Sequence, residues 1–393
     1  MKVGIVGAGI GGLVAAVGFA RTGASVTVYE RSPQVGPVGA GISLFGNGFR
    51  ALEAVGLAGA VHALGSAGSG LPALLRTPSG RTLVATRATA DLRVVHRADL
   101  HRILLDAAPP VHTGAAVLAV HPDGAVETVH GVDRFDLVVG ADGIGSAIRR
   151  SWPTDPGIRY AGYVAWRGVT REPVALSAAG ETWGSGERFG IAPLPDGRVY
   201  WFAVANAAAR DSHAGAASGP GAGGALGDAR DALGGAGADL AEVDRRFRGW
   251  HDPIPALLDA TDPDAVLRND IIELAAPLSS FVNGRIALVG DAAHAMTPNL
   301  GQGGNLAIED AVTLARLFTD PSSGPAQLAR YDAERRGRTA TIARQSRMMG
   351  RVAQLDGLAV PVRNGLLRLI PGSAMARSAE RLQAWRPPAV TGA

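Results

Sequence analysis

The stretch that most constrains this 393-residue chain is Gly7-Ala8-Gly9-Ile10-Gly11-Gly12, set between the apolar run Val3 to Val6 and a second apolar run that ends at Glu30. Lys2 to Val6 reads as a buried strand, Ile10 to Arg21 as a helix with apolar residues at helical spacing, and Ser25 to Tyr29 as the next strand. Between strand and helix, Gly7 permits a tight turn, Gly9 lets backbone approach a pyrophosphate, and Gly12 lets helix and strand pack closely, with Gly11 in the same turn. The helix start offers unpaired N–H groups and a positive dipole end to phosphate. Glu30, with Arg31 beside it, can accept hydrogen bonds from a ribose. Strand, helix, second strand and terminal acid together predict a dinucleotide site. They do not say which dinucleotide.

Two later segments narrow the reading. Gly290-Asp291-Ala292-Ala293-His294 follows the short apolar strand Arg285 to Val289 and leads into the loop Thr297-Pro298-Asn299-Leu300-Gly301-Gln302-Gly303-Gly304-Asn305. Leu306 to Phe318 reads as a helix whose N-terminus points back into that loop, a place that stabilises negative charge. Gly140-Ala141-Asp142-Gly143, after the run Leu137 to Val139, is less specific, because Asp-Gly after a strand also makes a plain turn. In this order and at these distances the three segments resemble the group A, single-component FAD-dependent aromatic monooxygenases. The nearest branch is that of the salicylate hydroxylase-like, urate hydroxylase-like and zeaxanthin epoxidase-like enzymes.

The resemblance implies an α/β fold: a Rossmann-type FAD-binding domain of the p-hydroxybenzoate hydroxylase kind, with an inserted antiparallel-sheet substrate domain and C-terminal helices. It implies that Asp291 holds the ribityl chain of FAD and that Pro298 lies beside the flavin edge where oxygen reacts. Gly301 and the N–H groups of Gly303, Gly304 and Asn305 would line the ring. Asp142 and Gly143 would lie near the pyrophosphate, and Gly39-Ala40-Gly41-Ile42 along the flavin. Arg97 falls where the family places an arginine near the FAD phosphates or ribityl chain, although a solvated arginine at a helix start explains it as well. The implied activity is hydroxylation or epoxidation of an aromatic or conjugated small molecule, with NADH or NADPH as transient co-substrate and O2, through a flavin C4a-hydroperoxide. A flavin reductase that inserts no oxygen and a non-catalytic flavin-binding protein fit the same motifs.

Residues 1–70, 94–155 and 265–350 read as a discontinuous nucleotide-binding part, 71–93 and 156–264 as a substrate-binding sheet, and 351–393 as a helical tail. Leu71 to Thr89 and Arg159 to Asn206 alternate apolar and polar residues, which predicts antiparallel strands. The second part holds most of the aromatic residues of a chain that is only 5% aromatic, so it is the expected home of an aromatic pocket. Alternation sends Tyr200 and Phe202 to one face and Trp201 to the other. Tyr163, Arg167, Tyr200 and Phe202 are the candidate pocket residues. Arg167 suits a carboxylate partner or an exterior sheet position; Tyr163, Arg167 and His96 are candidates for a general base that the sequence does not assign, with His213 weaker and His294 read as structural. The Ala/Gly-rich stretch 207–238 suits a loop or a partly disordered insert.

Composition removes other chemistries. The chain has no cysteine, which excludes disulfides, thiolate catalysis, cysteine-linked flavin and Cys-based metal sites. Lys2 is the only lysine and begins a strand, which excludes Schiff-base and Walker A chemistry; no leader is expected before it. No run of 18 apolar residues occurs, so no membrane span is expected, and a cytoplasmic protein follows. Thirty-eight basic against 35 acidic residues give a net charge of only +3, and nothing resembles a nucleic-acid fold signature. Arginines 335, 336, 338, 344, 347 and 351 fall on a long helix from Ala326 onward, read as a solvated face. A short helix near Val362 to Ile370 is expected to pack on its own chain, with a cap over the substrate pocket, a dimer interface or a membrane surface as alternatives. A monomer or a homodimer is expected, with no metal.

Overall fold

The first strand sets the centre of the computed structural model, which describes residues 1–34, 41–64, 70–87, 92–210, 237–319 and 324–389. Val3 and Ile5 on one face and Gly4 and Val6 on the other are buried, as both faces of a central parallel strand must be. The sheet runs in the order Val282–Asn283, Ile286–Leu288, Leu137–Gly140, Lys2–Val6, Ser25–Tyr29, Val111–His112. All pairs are parallel except Val282–Asn283 with Ile286–Leu288. The turns after Val6, Gly140 and Leu288 therefore lie side by side at one end of the sheet, although they are far apart in sequence.

Against this sheet packs the helix Ile10–Arg21, and against that helix the helix Gly303–Leu317. Small residues allow the close approach: a Cβ on Gly11 would touch the Ala307 Cβ at 3.4 Å, so Gly11 serves helix packing as well as the phosphate turn.

A second, seven-stranded sheet runs Leu267–Leu274, Ile158–Val169, Val199–Asn206, Glu187–Pro193, Ala179–Trp183, Pro72–Arg76, Thr82–Arg87. It is antiparallel apart from the parallel pair Ala179–Trp183 with Pro72–Arg76, which the alternation pattern did not foretell. Trp201 stacks on Phe189 at 5.4 Å and packs, with Phe247, under the helices Ala238–Phe247 and Ile254–Asp259. Tyr200 and Phe202 lie on the opposite face with ring centroids 6.2 Å apart, as strand alternation requires.

Several expectations need correction. Leu267–Leu274, read with the nucleotide-binding part, is the edge strand of the larger sheet, paired with Ile158–Val169. Its half-polar sequence, LRNDIIEL, lacks the alternation that marks the other strands. Gly41–Leu44 is a strand paired with Arg93–His96, and three short strands from Val117 to Arg134 form a separate antiparallel sheet. The long helix Pro325–Ala353 does not carry a uniformly solvated arginine face: Arg335 is 1% exposed, and Arg338 and Arg347 are partly buried in ion pairs. The inserted stretch 207–238 lies outside the described residues between 211 and 236, as do His213, Gly39 and Ala40.

The buried arginine is part of an ionic network across the middle of the molecule. Arg335 donates from Nε to Asp310 at 2.6 Å and from Nη1 to Glu309 at 2.7 Å, and Arg338 reaches both Glu309 oxygens at 2.7 Å. Asp310 also accepts from the Gly290 N–H at 2.9 Å and meets the His294 ring at 2.5 Å, while Asn47 Nδ2 donates to Glu309 at 2.6 Å. Burial alone raises the Asp310 pKa, but His294 and Arg335 outweigh it and hold the carboxyl at about 2. A depressed carboxylate contributes stability that is complete above its unfolded value near 4 and is lost as pH falls through its folded value. Asp310→Ala, which leaves Arg335 and His294 facing a void, is predicted to cost about 3–5 kcal/mol in denaturant unfolding at neutral pH. The gap between wild type and variant should narrow as the pH is lowered from about 4 toward 2.

Candidate functional site

The glycine turn after the first strand is shaped by contacts that admit no side chain. Gly7 has φ +103°, and a Cβ there would stand 2.4 Å from the Ala141 carbonyl; a Cβ on Gly12 would stand 2.0 Å from the Gly7 carbonyl. Gly9, the residue before the helix, is exposed, and a Cβ there would meet nothing within 4 Å. An open space over a helix N-terminus fits a pyrophosphate. The Glu30 carboxylate accepts from the Ala8 N–H at 2.8 Å and the Ser32 N–H at 2.9 Å, which fixes it beside this turn, with Arg31 exposed next to it.

The neighbouring turn brings Asp142. Its Oδ2 accepts from the Ile148 N–H at 3.2 Å, while its buried Oδ1 has no partner within the protein. Burial raises its pKa despite hydrogen bonds from Ser146 and the backbone. Beside it a cavity of about 320 Å³ is lined by Val6, Val117, Asp142, Ile148 and Trp152, and the Trp152 indole N–H also lacks a partner. Asp142 and Trp152 both line this cavity, and their orphaned acceptor and donor fit a polar group near this turn. Gly143, at φ +76°, completes the turn.

The third turn places Asp291 exposed at the start of the short helix Asp291–His294. Arg97, exposed, opens the helix Arg97–Ala107, within reach of the charges of Asp291 and Arg167. Desolvation lowers the Arg97 pKa, Asp291 opposes that shift, and Arg167 adds to it. Arg167 is half-buried on the sheet face that holds Tyr200 and Phe202, not on the exterior: it donates to Asn269, and its charge draws down the Tyr200 pKa that burial raises. Tyr200 in turn covers Gly41, where a Cβ would lie 2.7 Å from the ring.

The loop before the helix Gly303–Leu317 closes the other side. Pro298 is exposed, in a single 3₁₀ turn that ends at Gly301 in the left-handed region. Asn305 is fully buried: its side chain donates to the Ser43 and Gly301 carbonyls and accepts from the Phe45 N–H at 3.0 Å. Its amide therefore locks the strand Gly41–Leu44 to the helix start. The first N–H groups of that helix, on Gly303, Gly304 and Asn305, have no partner within the helix.

Sequence reasoning passed over the roles of two residues here. Asn299 donates to the Tyr163 hydroxyl at 2.9 Å and to Thr297 and the Ser346 carbonyl, and accepts from Arg188. Arg188 is 2% exposed on the same sheet face as Tyr163 and pairs with Glu181 at 3.6 Å. The available signal was strand alternation: Arg188 neighbours Phe189, which faces the helices, so Arg188 has to face the site. Burial raises the Tyr163 pKa, which favours its protonated hydroxyl. His96 lines a separate cleft of about 150 Å³ with Asp99, Leu194 and Arg198.

A phosphate-type turn, a carboxylate, a helix N-terminus and an aromatic sheet face supply the groups that FAD requires, and the residues present fit FAD. The FAD binding domain family matches residues 1–211 and 274–346. The aurachin C monooxygenase/isomerase of Stigmatella aurantiaca is 37% identical over 96% of this chain and 97% of its own length. The FAD-dependent urate hydroxylase of Klebsiella pneumoniae is 34% identical over 85% of this chain and 86% of its own. The crystal structure of Klebsiella pneumoniae HpxO complexed with FAD and uric acid superposes with a TM-score of 0.81 at 29% identity, covering 98% of this chain and 97% of that one. The chain belongs to the FAD-binding family of group A flavoprotein monooxygenases.

Proposed function

We propose that this protein uses NADH or NADPH and O2 to hydroxylate or epoxidise an aromatic or conjugated small molecule. The observation that carries the reading is the meeting of the helix start at Gly303, tied to Ser43 through Asn305, with Gly41 under the Tyr200 ring, on the sheet face that holds Tyr163, Arg167, Tyr200 and Phe202. When bound, FAD supplies the acceptance of hydride and the activation of oxygen that side chains lack.

The chain's own groups would do the rest. Gly7, Gly9, Gly12 and the helix behind them receive the pyrophosphate, with Asp142 and Gly143 close by; Glu30 and Arg31 meet the adenosine ribose. Asp291 accepts hydrogen bonds from the ribityl hydroxyls, and Arg97 offsets its charge and faces the phosphates. The N–H groups of Gly303, Gly304 and Asn305 stabilise negative charge on the pyrimidine edge of the ring, while Gly301 and Gly41 let backbone run along it. Pro298 borders the edge where oxygen reacts. The sheet face orients the substrate and excludes water, with Arg167 and the buried Arg188 as the positive groups that meet an anionic or strongly polar ring substituent. In this division residues 1–70, 94–155 and 275–350 hold the nucleotide, and the seven-stranded sheet, with Leu267–Leu274 at its edge, holds the substrate.

Urate, the substrate in the name of one relative, is a flat heteroaromatic, and a planar ring of that kind suits a pocket between a flavin and a sheet face bearing Tyr200 and Phe202. Anaerobic mixing of the flavoprotein with NADH or NADPH, with and without aromatic acids, phenols and quinolones, tests the reaction. One compound should speed flavin bleaching by orders of magnitude, and its product should carry label from 18O2; fast bleaching with an unlabelled product would make the protein a reductase.

Asp291→Ala should weaken FAD retention about 10- to 150-fold, the loss of hydrogen bonds to a charged group worth about 1.5–3 kcal/mol. Equilibrium dialysis against FAD measures this, and undiminished affinity would move the ribityl chain elsewhere. Because Asp291 is exposed, the melting temperature of the apoprotein should not change.

A further inference from the structure

The flavin-binding residues leave one cleft without a role. It measures about 320 Å³ and lies between the edge strand Val117–Val120 of the three-stranded sheet and the short helix Ala147–Arg150, with Trp152 in its wall. Val6 lines it too. Strand alternation puts Val6 on the same face of the central sheet as Gly4, where a Cβ would stand 2.7 Å from the Phe135 ring. Gly9, Glu30, Asp291 and Gly303 do not line it, and of the residues assigned to FAD only Asp142 does.

Two polar atoms in its walls are buried without a partner. Trp152 is 6% exposed, yet its indole N–H donates to nothing. Asp142 Oδ2 holds the Ile148 N–H, while Oδ1 accepts from nothing. Each such atom is costly to bury, and a ligand that pairs it removes the penalty. The pyrophosphate of FAD offers only acceptors, so it leaves Asp142 Oδ1 unmet. The occupant has to bring a donor for Asp142 and an acceptor for Trp152.

The remaining walls narrow its chemistry. Val6, Val117, Val120, Ile148 and Trp152 make them largely apolar, and Leu118, also in the lining, is 61% exposed. Among the described residues no arginine or lysine lines the cleft, so a phosphate or a carboxylate finds no countercharge there, and a nucleotide is a poor fit. Burial also raises the Asp142 pKa, which suits a neutral partner better than a cation. An apolar cavity of about 150 Å³ accepts one benzene ring, so this cleft has room for about two rings. Sites of this size are mostly apolar with a few placed polar groups.

We propose that the cleft is a second small-molecule site, which binds an uncharged two-ring heteroaromatic carrying both an N–H and a ring carbonyl. The N–H donates to Asp142 Oδ1, the carbonyl accepts from the Trp152 indole, and the rings lie against Val117 and Ile148. The site needs none of the residues that would hold the flavin ring or the ribityl chain, so its failure and the failure of the flavin reading are separate results.

Oxindole, a two-ring lactam, is the probe, and its N-methyl derivative, which lacks the N–H, is the control. Crystals of the FAD-loaded protein soaked in oxindole should show it between Val117 and Trp152, with its nitrogen about 2.7–3.2 Å from Asp142. In equilibrium dialysis the N-methyl derivative should bind this site about 3- to 10-fold more weakly. Trp152→Phe keeps an aromatic ring and removes the indole N–H, and should weaken oxindole by a similar factor; binding at the sheet face would not respond to it. Flavin content and melting temperature report on the fold of the variant, and the comparison of the two probes on wild type needs no variant. Water alone in the cleft, oxindole seated only at Tyr200 and Phe202, equal affinity for both probes, or undiminished binding to the folded variant would overturn the proposal.

Discussion

The two consecutive acids Glu309 and Asp310, fully buried in an otherwise apolar helix, are the constraint on which the rest of the structure hangs. An isolated buried carboxylate is prohibitively costly, so each must be met by cations and donors from elsewhere in the chain. The partners come from three separate places: Arg335 and Arg338 on the long helix, His294 and the Gly290 N–H in the turn after the central sheet, and Asn47 behind the strand Gly41–Leu44. Satisfying one pair of charges therefore fixes the register of the helix Gly303–Leu317 against the long helix, the turn after Leu288 and the helix Gly46–Ala54.

That registration explains how exposed backbone can be so well ordered. Pro298, Gly301, Gly303 and Gly304 carry no side chain able to hold themselves in place. Their support is indirect: Asn305 ties the helix start to Ser43 and Phe45, and Asn299 ties the preceding turn to Tyr163, Ser346 and Arg188. A preorganised set of N–H groups is useful only if it need not rearrange as charge develops on the ring. Here Asn305 is buried and Asn299 half-buried, while the N–H groups they position remain free of helix partners.

Much of this was legible in the sequence where chemistry leaves few alternatives. The Gly7 turn could be read because Gly7 and Gly12 pack where any Cβ would collide with backbone, and the strand and helix bounds around it agree with the structure. The two faces of Val199–Asn206 followed from a period of two. What stayed hidden depends on contacts between distant segments. Nothing local marks Leu267–Leu274 as a partner of Ile158–Val169, or Arg335 as buried, because an arginine on a long polar helix looks solvated until Glu309 and Asp310 are placed beneath it. The Glu309-Asp310 pair within an apolar helix was a visible signal of that burial. Arg188 was missed in the same way, since its inward direction shows only when Phe189 is assigned to the other face.

A crystal structure of the protein with FAD bound is the most direct test of the central claim, that the helix start at Gly303 is built to receive the flavin ring. The pyrimidine edge of the ring should lie about 2.7–3.2 Å from N–H groups of Gly303 to Asn305, with the pyrophosphate over Gly9 and the ribityl chain at Asp291. A ring bound away from this loop, for example in the cavity lined by Val117 and Trp152, would contradict it.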